Sequence, residues 1–442
     1  MQRRDFIKSG AIVAGSVIIP FSRQENRKKI RLAILGTGNW GTNVIIPSAL
    51  ASGQFDIVAL CDVNLEASKH AAEEVVRLGG KRPEMFTSYQ QLYQMQGLGA
   101  VAIVTPTHWH ALHFVAACRA GLHVFLEKPI SYDIREGQAM LQAHRQARNV
   151  VQVDFPRVKG RVNDEVSAFI ASGEAGKIRG AHANIYHHEG RLVEKPIPAT
   201  IDFDAFCGPA PKSKFLCEPD QSIPMWRGQR AFSRGILFDW GIHYIHNARK
   251  VLGLGLPGEV SAAGGIVGHD AIDNPDHLDV RFDFGGLPVT WSHKTWGYVS
   301  PDPDRNYGIY YYGEKATIFA GDMGWEVHPV GSSAKTSYGD IRFNPGDPKV
   351  WNEYLAMTTS LWEEFAIQIG KNSNDGITNS LEDAYRTTAA VIYADIAYQV
   401  KAHLRIDADT MSILNNNEGQ KLLKRTYRAP YAAFDLTEIS GR

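Results

Sequence analysis

The chain has no surplus of either charge: 47 basic residues balance 47 acidic ones over 442 positions. A protein that grips a nucleic-acid backbone needs a basic surplus, so no nucleic-acid partner is expected. Cysteine is scarce, at four residues: Cys61, Cys118, Cys207 and Cys217. None forms a C-x-x-C pair, which removes the usual sequence sign of a zinc site or a thioredoxin-type centre. Cys61 and Cys118 lie in apolar runs and read as small buried hydrophobes. Cys207 and Cys217 stay open as a pair for an oxidising compartment. Histidine pairs occur at His108/His110 and His187/His188, but without a complete ligand set at metal-like spacing, so no metal is expected. No segment is apolar over the roughly 20 residues that a membrane-spanning helix needs, so no stable span is expected.

What is present starts at the N-terminus. Arg3-Arg4-Asp5-Phe6-Ile7-Lys8 resembles the twin-arginine export motif, and a short apolar run from Gly10 to Phe21 follows it. Basic start plus short apolar run reads as a signal peptide, so residues 1–29 are expected to be a leader and the mature protein periplasmic. A hydrophobic content of 44% and a charged content of 21% fit a globular enzyme. The length exceeds one ordinary core, so two domains are expected, at 30–150 and 151–442.

The first carries a dinucleotide pattern. Ile30–Leu35 reads as a strand running into Gly36-Thr37-Gly38-Asn39-Trp40-Gly41, a G-x-G-x-x-G turn that opens a helix. Gly36 permits the tight turn, Gly38 lets the backbone approach a pyrophosphate, and Gly41 lets helix and strand pack. The helix start offers free N–H groups to phosphate, and Asn39 and Trp40 sit within the turn. A second strand ends at Asp62, about 20 residues on, where an acid can accept from both ribose hydroxyls. No arginine stands beside Asp62 in "CDVN", which favours NAD over NADP. Strand–helix alternation continues through "VAIVTPTHWHALHF" and "LHVFLEKP". In a doubly wound sheet the loops at the strands' carboxyl ends line the ligand crevice, which places Thr105, Pro106, His108, His110, Glu127 and Lys128 against the cofactor.

Together "AILGTGNWG", "VTPTHWHALHFVAACRAGLHVFLEKP" and "GILFDWGIHYIHNARKVLG" resemble the glucose–fructose oxidoreductase, inositol dehydrogenase and rhizopine-catabolism (Gfo/Idh/MocA) family. "FDAFCGPAP" and "NNNEGQKLLKRTYRAPY" resemble segments of its exported members. The resemblance implies an α/β chain: an N-terminal Rossmann domain, then an α/β domain with a large, mainly antiparallel sheet. It implies oxidation or reduction of a CH–OH group on a sugar, sugar derivative or cyclitol with a nicotinamide cofactor, and a homo-oligomer built on the C-terminal sheet. Lys128 of E-K-P would touch the nicotinamide ribose and the substrate hydroxyl; Asp239 and His243 match the motif's acid and general base. The residue types suit that chemistry. Hydride removal requires loss of the hydroxyl proton, which a histidine near pKa 7 can take, and a lysine can stabilise the developing alkoxide. On a helix Asp239 and His243 are i and i+4 and share a face, so Asp239 can orient His243 or bind the sugar. The chain departs from the pattern at Ser233-Arg234-Gly235, where the family has a glycine cluster, and at His246, where it often has an acid. Some relatives use NAD to cleave glycosidic bonds by transient oxidation, elimination, hydration and re-reduction, and the same trio serves that alternative. A protein exported folded has no nicotinamide pool outside, so tightly held NAD is expected.

The second domain reads as helix, turn and strand, then a Pro- and Gly-rich loop over 196–230 that shapes the substrate site. "HLDVRFDF" and "LPVTWSHK" flank a Gly-Gly hairpin turn. Tyr310-Tyr311-Tyr312 alternates faces in a strand, and Ser380 caps a helix running to about His403. Trp226, Trp291 and Trp296 are candidates for sugar stacking, though tryptophan is more often core.

Overall fold

The computed structural model describes residues 28–268, 270–297, 302–342 and 347–436; the expected export motif and its apolar run lie outside them. Six short strands with near-continuous apolar sequence need cover on both faces, and they form a parallel sheet. They are β1 (Ile30–Leu35), β2 (Phe55–Cys61), β3 (Glu84–Phe86), β4 (Ala100–Ile103), β5 (His123–Glu127) and β6 (Val151–Asp154). Their order is β3-β2-β1-β4-β5-β6. The strand order reverses between β1 and β4, and there the crevice opens. Strand β6 pairs with β5, Glu127 beside Asp154, so the first sheet runs past the boundary expected at residue 150.

The second sheet has ten strands. They are β7 (Ile178–Tyr186), then, after a two-stranded ribbon of β8 (Val193–Glu194) and β9 (Leu216–Cys217), β10 (Glu259–Gly265), β11 (His277–Phe284), β12 (Leu287–Lys294), β13 (Tyr307–Gly313), β14 (Ala316–Ala320), β15 (Gly324–Pro329), β16 (Thr336–Gly339), β17 (Leu404–Asp407) and β18 (Ser412–Ile413). The order is β16-β15-β14-β13-β7-β12-β11-β10-β17-β18, antiparallel except where β7 meets β12. The expected hairpin forms: Gly285 and Gly286 both take positive φ, 67° and 91°, as a two-residue turn between β11 and β12 demands. One face of the sheet buries Trp291, Phe282 and Tyr311 under helices; Tyr310 and Tyr312 stack on the other face.

The two halves interlock. The helix Pro348–Lys371 returns to the first sheet, where Trp362 stacks on Phe125 at 3.8 Å and meets Phe55 at 5.0 Å. The helix Leu381–Val400, capped by Ser380 as expected, packs against both halves. Segment 196–230 is more ordered than a loop: Asp202 caps a short helix, Phe203–Cys207, and Phe203, Cys207, Phe215, Cys217 and Phe232 form a small core of their own. Cys207 and Cys217 are both buried there and unpaired.

Candidate active site at the crevice between the sheets

The glycine turn is built by close approach. Gly36 has φ +101°, and a Cβ there would lie 2.6 Å from the Val104 carbonyl carbon. A Cβ on Gly41 would lie 2.2 Å from the Gly36 oxygen. A Cβ on Gly38 would meet nothing within 4 Å, so the exposed turn leaves open space where a pyrophosphate fits. The helix behind it starts with a π turn, Gly41–Ile45. Asp62 ends β2, and its carboxylate accepts from Thr37 N at 2.7 Å and Asn64 N at 2.8 Å, which ties the glycine turn to the strand end. Burial pushes the Asp62 carboxyl up, and these hydrogen bonds pull it back. Asn39 lies exposed on the turn with its side chain bonded to Asn43. Trp40 points down, its indole donating to Glu127 Oε1 at 2.6 Å.

Beneath the turn sits a buried carboxyl pair. Burial, then Asp154 beside it, raises Glu127 well above the usual range, and burial raises Asp154 as well. Each carboxyl of the pair is thus harder to ionise than it would be alone in water. Next to it Lys128 leaves β5 and extends its Nζ to Asp239, donating to the backbone oxygen at 2.6 Å and to Oδ1 at 3.1 Å. The other carboxylate oxygen lies 2.5 Å from Arg227 Nε. Asp239 is in a π turn, Leu237–Gly241, that precedes the helix Ile242–Leu252. Such widened turns recur at functional sites. His243 follows, buried, with no hydrogen-bond partner on Nδ1. Burial, then the positive charges of Lys128 and Arg157, holds its pKa well below the ordinary value, so the ring is neutral. The structure thus brings Lys128, Asp239 and His243 together, with Asp239 gripped by two cations.

Other expected residues are placed differently. Thr105 and Pro106 are half-buried at the crevice, on the loop after β4. His110 is buried behind that loop, its nitrogens 2.6 Å from the Thr105 oxygen and 2.8 Å from the Pro129 oxygen. It ties the loops after β4 and β5 together. His108 is buried too, with Nε2 bonded to the Phe206 carbonyl at 2.8 Å. Both histidines position backbone rather than present a ring to the crevice; burial lowers His108 to about 3 and His110 to about 4. His246 stacks on Phe155 at 4.0 Å and bonds Thr387 and Asn379 in the core. Arg234 pairs with buried Asp395. Trp291 is fully buried, and Trp296 bonds Asp276. Trp226 carries the Arg227 guanidinium 4.5 Å from its ring centre.

Sequence reasoning missed Arg227, which no spacing or motif marks within its Pro- and Gly-rich surroundings. It also missed a half-exposed aromatic wall next to Asp239: Trp240 lies 6.0 Å from His187 and 5.8 Å from Tyr307. Among the described residues no three His, Cys, Asp or Glu side chains are grouped to hold a metal, and no helix is long and apolar enough to cross a membrane.

A parallel sheet with a glycine turn at its switch point carries Lys128 at the end of β5, facing an acid and a neutral histidine from the helical stretch 237–252. This is a Rossmann-type dinucleotide-binding domain joined to an α/β domain with a large, mostly antiparallel sheet. Residues 30–155 match the model of the oxidoreductase family with an NAD-binding Rossmann fold (GFO_IDH_MocA). The match is confined to the N-terminal domain, which is similar to this Gfo/Idh/MocA family. The chain is 30% identical over 151 residues to the uncharacterized oxidoreductase ORF334 of Rhizobium meliloti, covering 34% of this chain and 43% of that protein. It is 32% identical over 134 residues to a glycosyl hydrolase family 109 protein of Stenotrophomonas maltophilia (strain K279a), covering 29% of each. It thus spans less than half the length of these curated relatives. Among solved structures, a levoglucosan dehydrogenase in complex with NADH and levoglucosan aligns over 86% of this chain and 99% of its own, with TM-score 0.65 and 16% identity. A putative myo-inositol dehydrogenase from Sinorhizobium meliloti 1021 aligns over 86% and 100%, with TM-score 0.59 and 21% identity. At these identities the likeness is one of fold.

Proposed function

We propose that the protein oxidises or reduces a CH–OH group of a sugar, sugar derivative or cyclitol, using tightly held NAD. The observation that carries this reading is the neutral, buried His243 beside Lys128 and Asp239 at the switch-point crevice. NAD fits the chain: the open face of Gly38 suits the pyrophosphate, and Asp62, with no arginine beside it, suits an unphosphorylated ribose. When bound, NAD supplies the hydride acceptor. The chain supplies the rest. Asp239 holds the Lys128 ammonium in place, and that charge stabilises the oxygen of the reacting hydroxyl as its proton leaves. His243, neutral in the working range, takes that proton. Trp240 and Tyr307 offer faces to the apolar side of a sugar ring.

The alternative is a redox-neutral glycosidase, favoured by the names of several relatives, among them an alpha-N-acetylgalactosaminidase of Shewanella oneidensis. Incubating the purified chain with glycosides and free sugars, with no added cofactor, tests both. Oxidation is read as a rise in bound-cofactor absorbance with a keto product, and cleavage as free sugar without net reduction. Neither signal across the panel refutes both readings. The export-like N-terminus supports a periplasmic location, and the exposed tyrosine face of the ten-stranded sheet supports a homo-oligomer; fractionation and sedimentation check these.

A further inference from the structure

We propose that residues 200–208, pinned by the C-terminal segment 425–431, form a fixed wall over the adenosine half of the dinucleotide site and block its exchange. This rests on the proposed NAD reading. The wall is anchored on both sides of β1. On the β2 side it meets the residues that directly follow Asp62: Leu65 N donates to the Thr200 oxygen at 3.2 Å, Asp202 N donates to the Val63 oxygen at 3.0 Å, and Asn64 bridges to Ile201. On the β4 side the short helix Phe203–Cys207 caps the loop after Thr105. His108 Nε2 bonds the Phe206 oxygen at 2.8 Å, and Trp109 Nε1 donates to the Ala205 and Phe206 oxygens at 3.1 and 3.0 Å. Gly208 lies flat on the Trp109 ring; a Cβ there would sit 2.2 Å from it. Segment 200–208 therefore crosses from the ribose-binding acid to the loop beyond β1, over the strand ends where the adenosine side of a dinucleotide belongs.

A tether from the far end of the chain locks it. Arg428 donates to the Gly208 oxygen at 3.1 Å, to the Asp204 carboxylate at 2.8 Å and to the Asp204 backbone oxygen at 2.9 Å, and its own N–H donates to the Pro209 oxygen at 2.9 Å. Tyr431 abuts Trp109 edge-on at 5.3 Å. Arg425 fastens the same tether to the first domain through the His108 oxygen at 2.6 Å and Glu136 at 2.7 Å. This explains two features that the catalytic chemistry leaves unused: the T-H-W-H histidine turned away from the crevice, and the R-T-Y-R stretch near the C-terminus.

The test uses the full chain and reads NAD exchange, not turnover. The protein is purified, its dinucleotide content measured after denaturation, and replacement of bound NAD by labelled NAD followed. The parent should keep NAD through prolonged dialysis and exchange over hours. Arg428→Ala should speed exchange at least tenfold, with Arg428→Lys recovering part of the delay. Asp204→Asn, on the exposed side of the wall, is the second variant and should act in the same direction. A parent that retains NAD, with both variants exchanging at its rate, overturns the wall alone. A parent that neither carries nor takes up NAD overturns the cofactor reading, and the wall with it.

Discussion

Lys128→Met removes the ammonium at the centre of the site. In the parent that group donates twice to Asp239, at 2.6 and 3.1 Å, and it is the second influence, after burial, that depresses His243. Asp239 keeps Arg227 at 2.5 Å, so its buried carboxylate is not left without a cation. The cost to stability should therefore be about 1.5–3 kcal/mol, the value of hydrogen bonds to a charged group. It should not reach the roughly 3–5 kcal/mol of a stranded buried charge. The catalytic cost is larger. Loss of one preorganised donor to a developing oxyanion costs about 10²–10³ in kcat. A second effect separates this role from a merely structural one. With Lys128 gone, protonation of His243 becomes easier, so the acid limb of the kcat/KM profile should move to higher pH. The assay follows the absorbance of bound cofactor on whichever sugar reduces it in the parent, across pH 5–9, with NAD content measured alongside. Turnover within a few-fold of the parent, or an acid limb that stays put, refutes the reasoning.

Three further outcomes are expected. Cofactor extracted from the parent should be NAD rather than NADP, and Asp62→Ala should weaken that preference; a mainly 2′-phosphorylated extract contradicts the assignment of Asp62. Gly41→Val should abolish NAD binding, because its Cβ would lie 2.2 Å from the Gly36 oxygen and force the turn open; calorimetric titration showing parental affinity would contradict this. Stability should fall on acidification below about pH 6.5, the ordinary histidine value. His108, His110, His113, His243, His246 and His293 all have depressed values in the fold, first of all through burial. Their contribution is complete above the unfolded value and is lost as pH falls toward the folded ones, by up to about 1.4 kcal/mol per unit for each. Asp133, raised by burial to about 7, and Glu127, Asp154 and Asp62, also raised first of all by burial, act in the opposite sense but are outnumbered. A melting temperature that holds or rises from pH 7 to 5 would contradict this.

The parts of the molecule legible in the sequence are those written locally. Strand–turn–helix at Ile30–Gly41, the acid ending β2, the Gly285-Gly286 turn and the Ser380 cap each rest on neighbours in the chain, and each stands where expected. Lys128, Asp239 and His243 were picked out through motif placement at strand and helix ends, and the structure brings them together. What was not legible depends on long-range contact. His108 and His110 looked like ligands because they follow a strand end, but a ring nitrogen bonds a backbone carbonyl equally well, and sequence does not say which. Arg227 reaches Asp239 from a stretch without periodicity, and Arg428 meets Asp204 across more than two hundred residues. The i,i+4 geometry assumed for Asp239 and His243 missed the π turn, whose extra residue changes how the acid faces its neighbours.

The return of the helix Pro348–Lys371 to the first sheet has a consequence for how the protein is made. Trp362 and Phe365 complete the core around Phe55 and Phe125, so a ribosome that has delivered only residues 30–155 has made a sheet with one face covered by the helices of residues 41–77 but still open over Phe125. Synthesis must pass Lys371 before that face closes, and it must pass Arg428 before the Asp204 contact can form. The order of events is therefore set by residues 348–428: the nascent dinucleotide domain waits, and becomes whole only once they have been made.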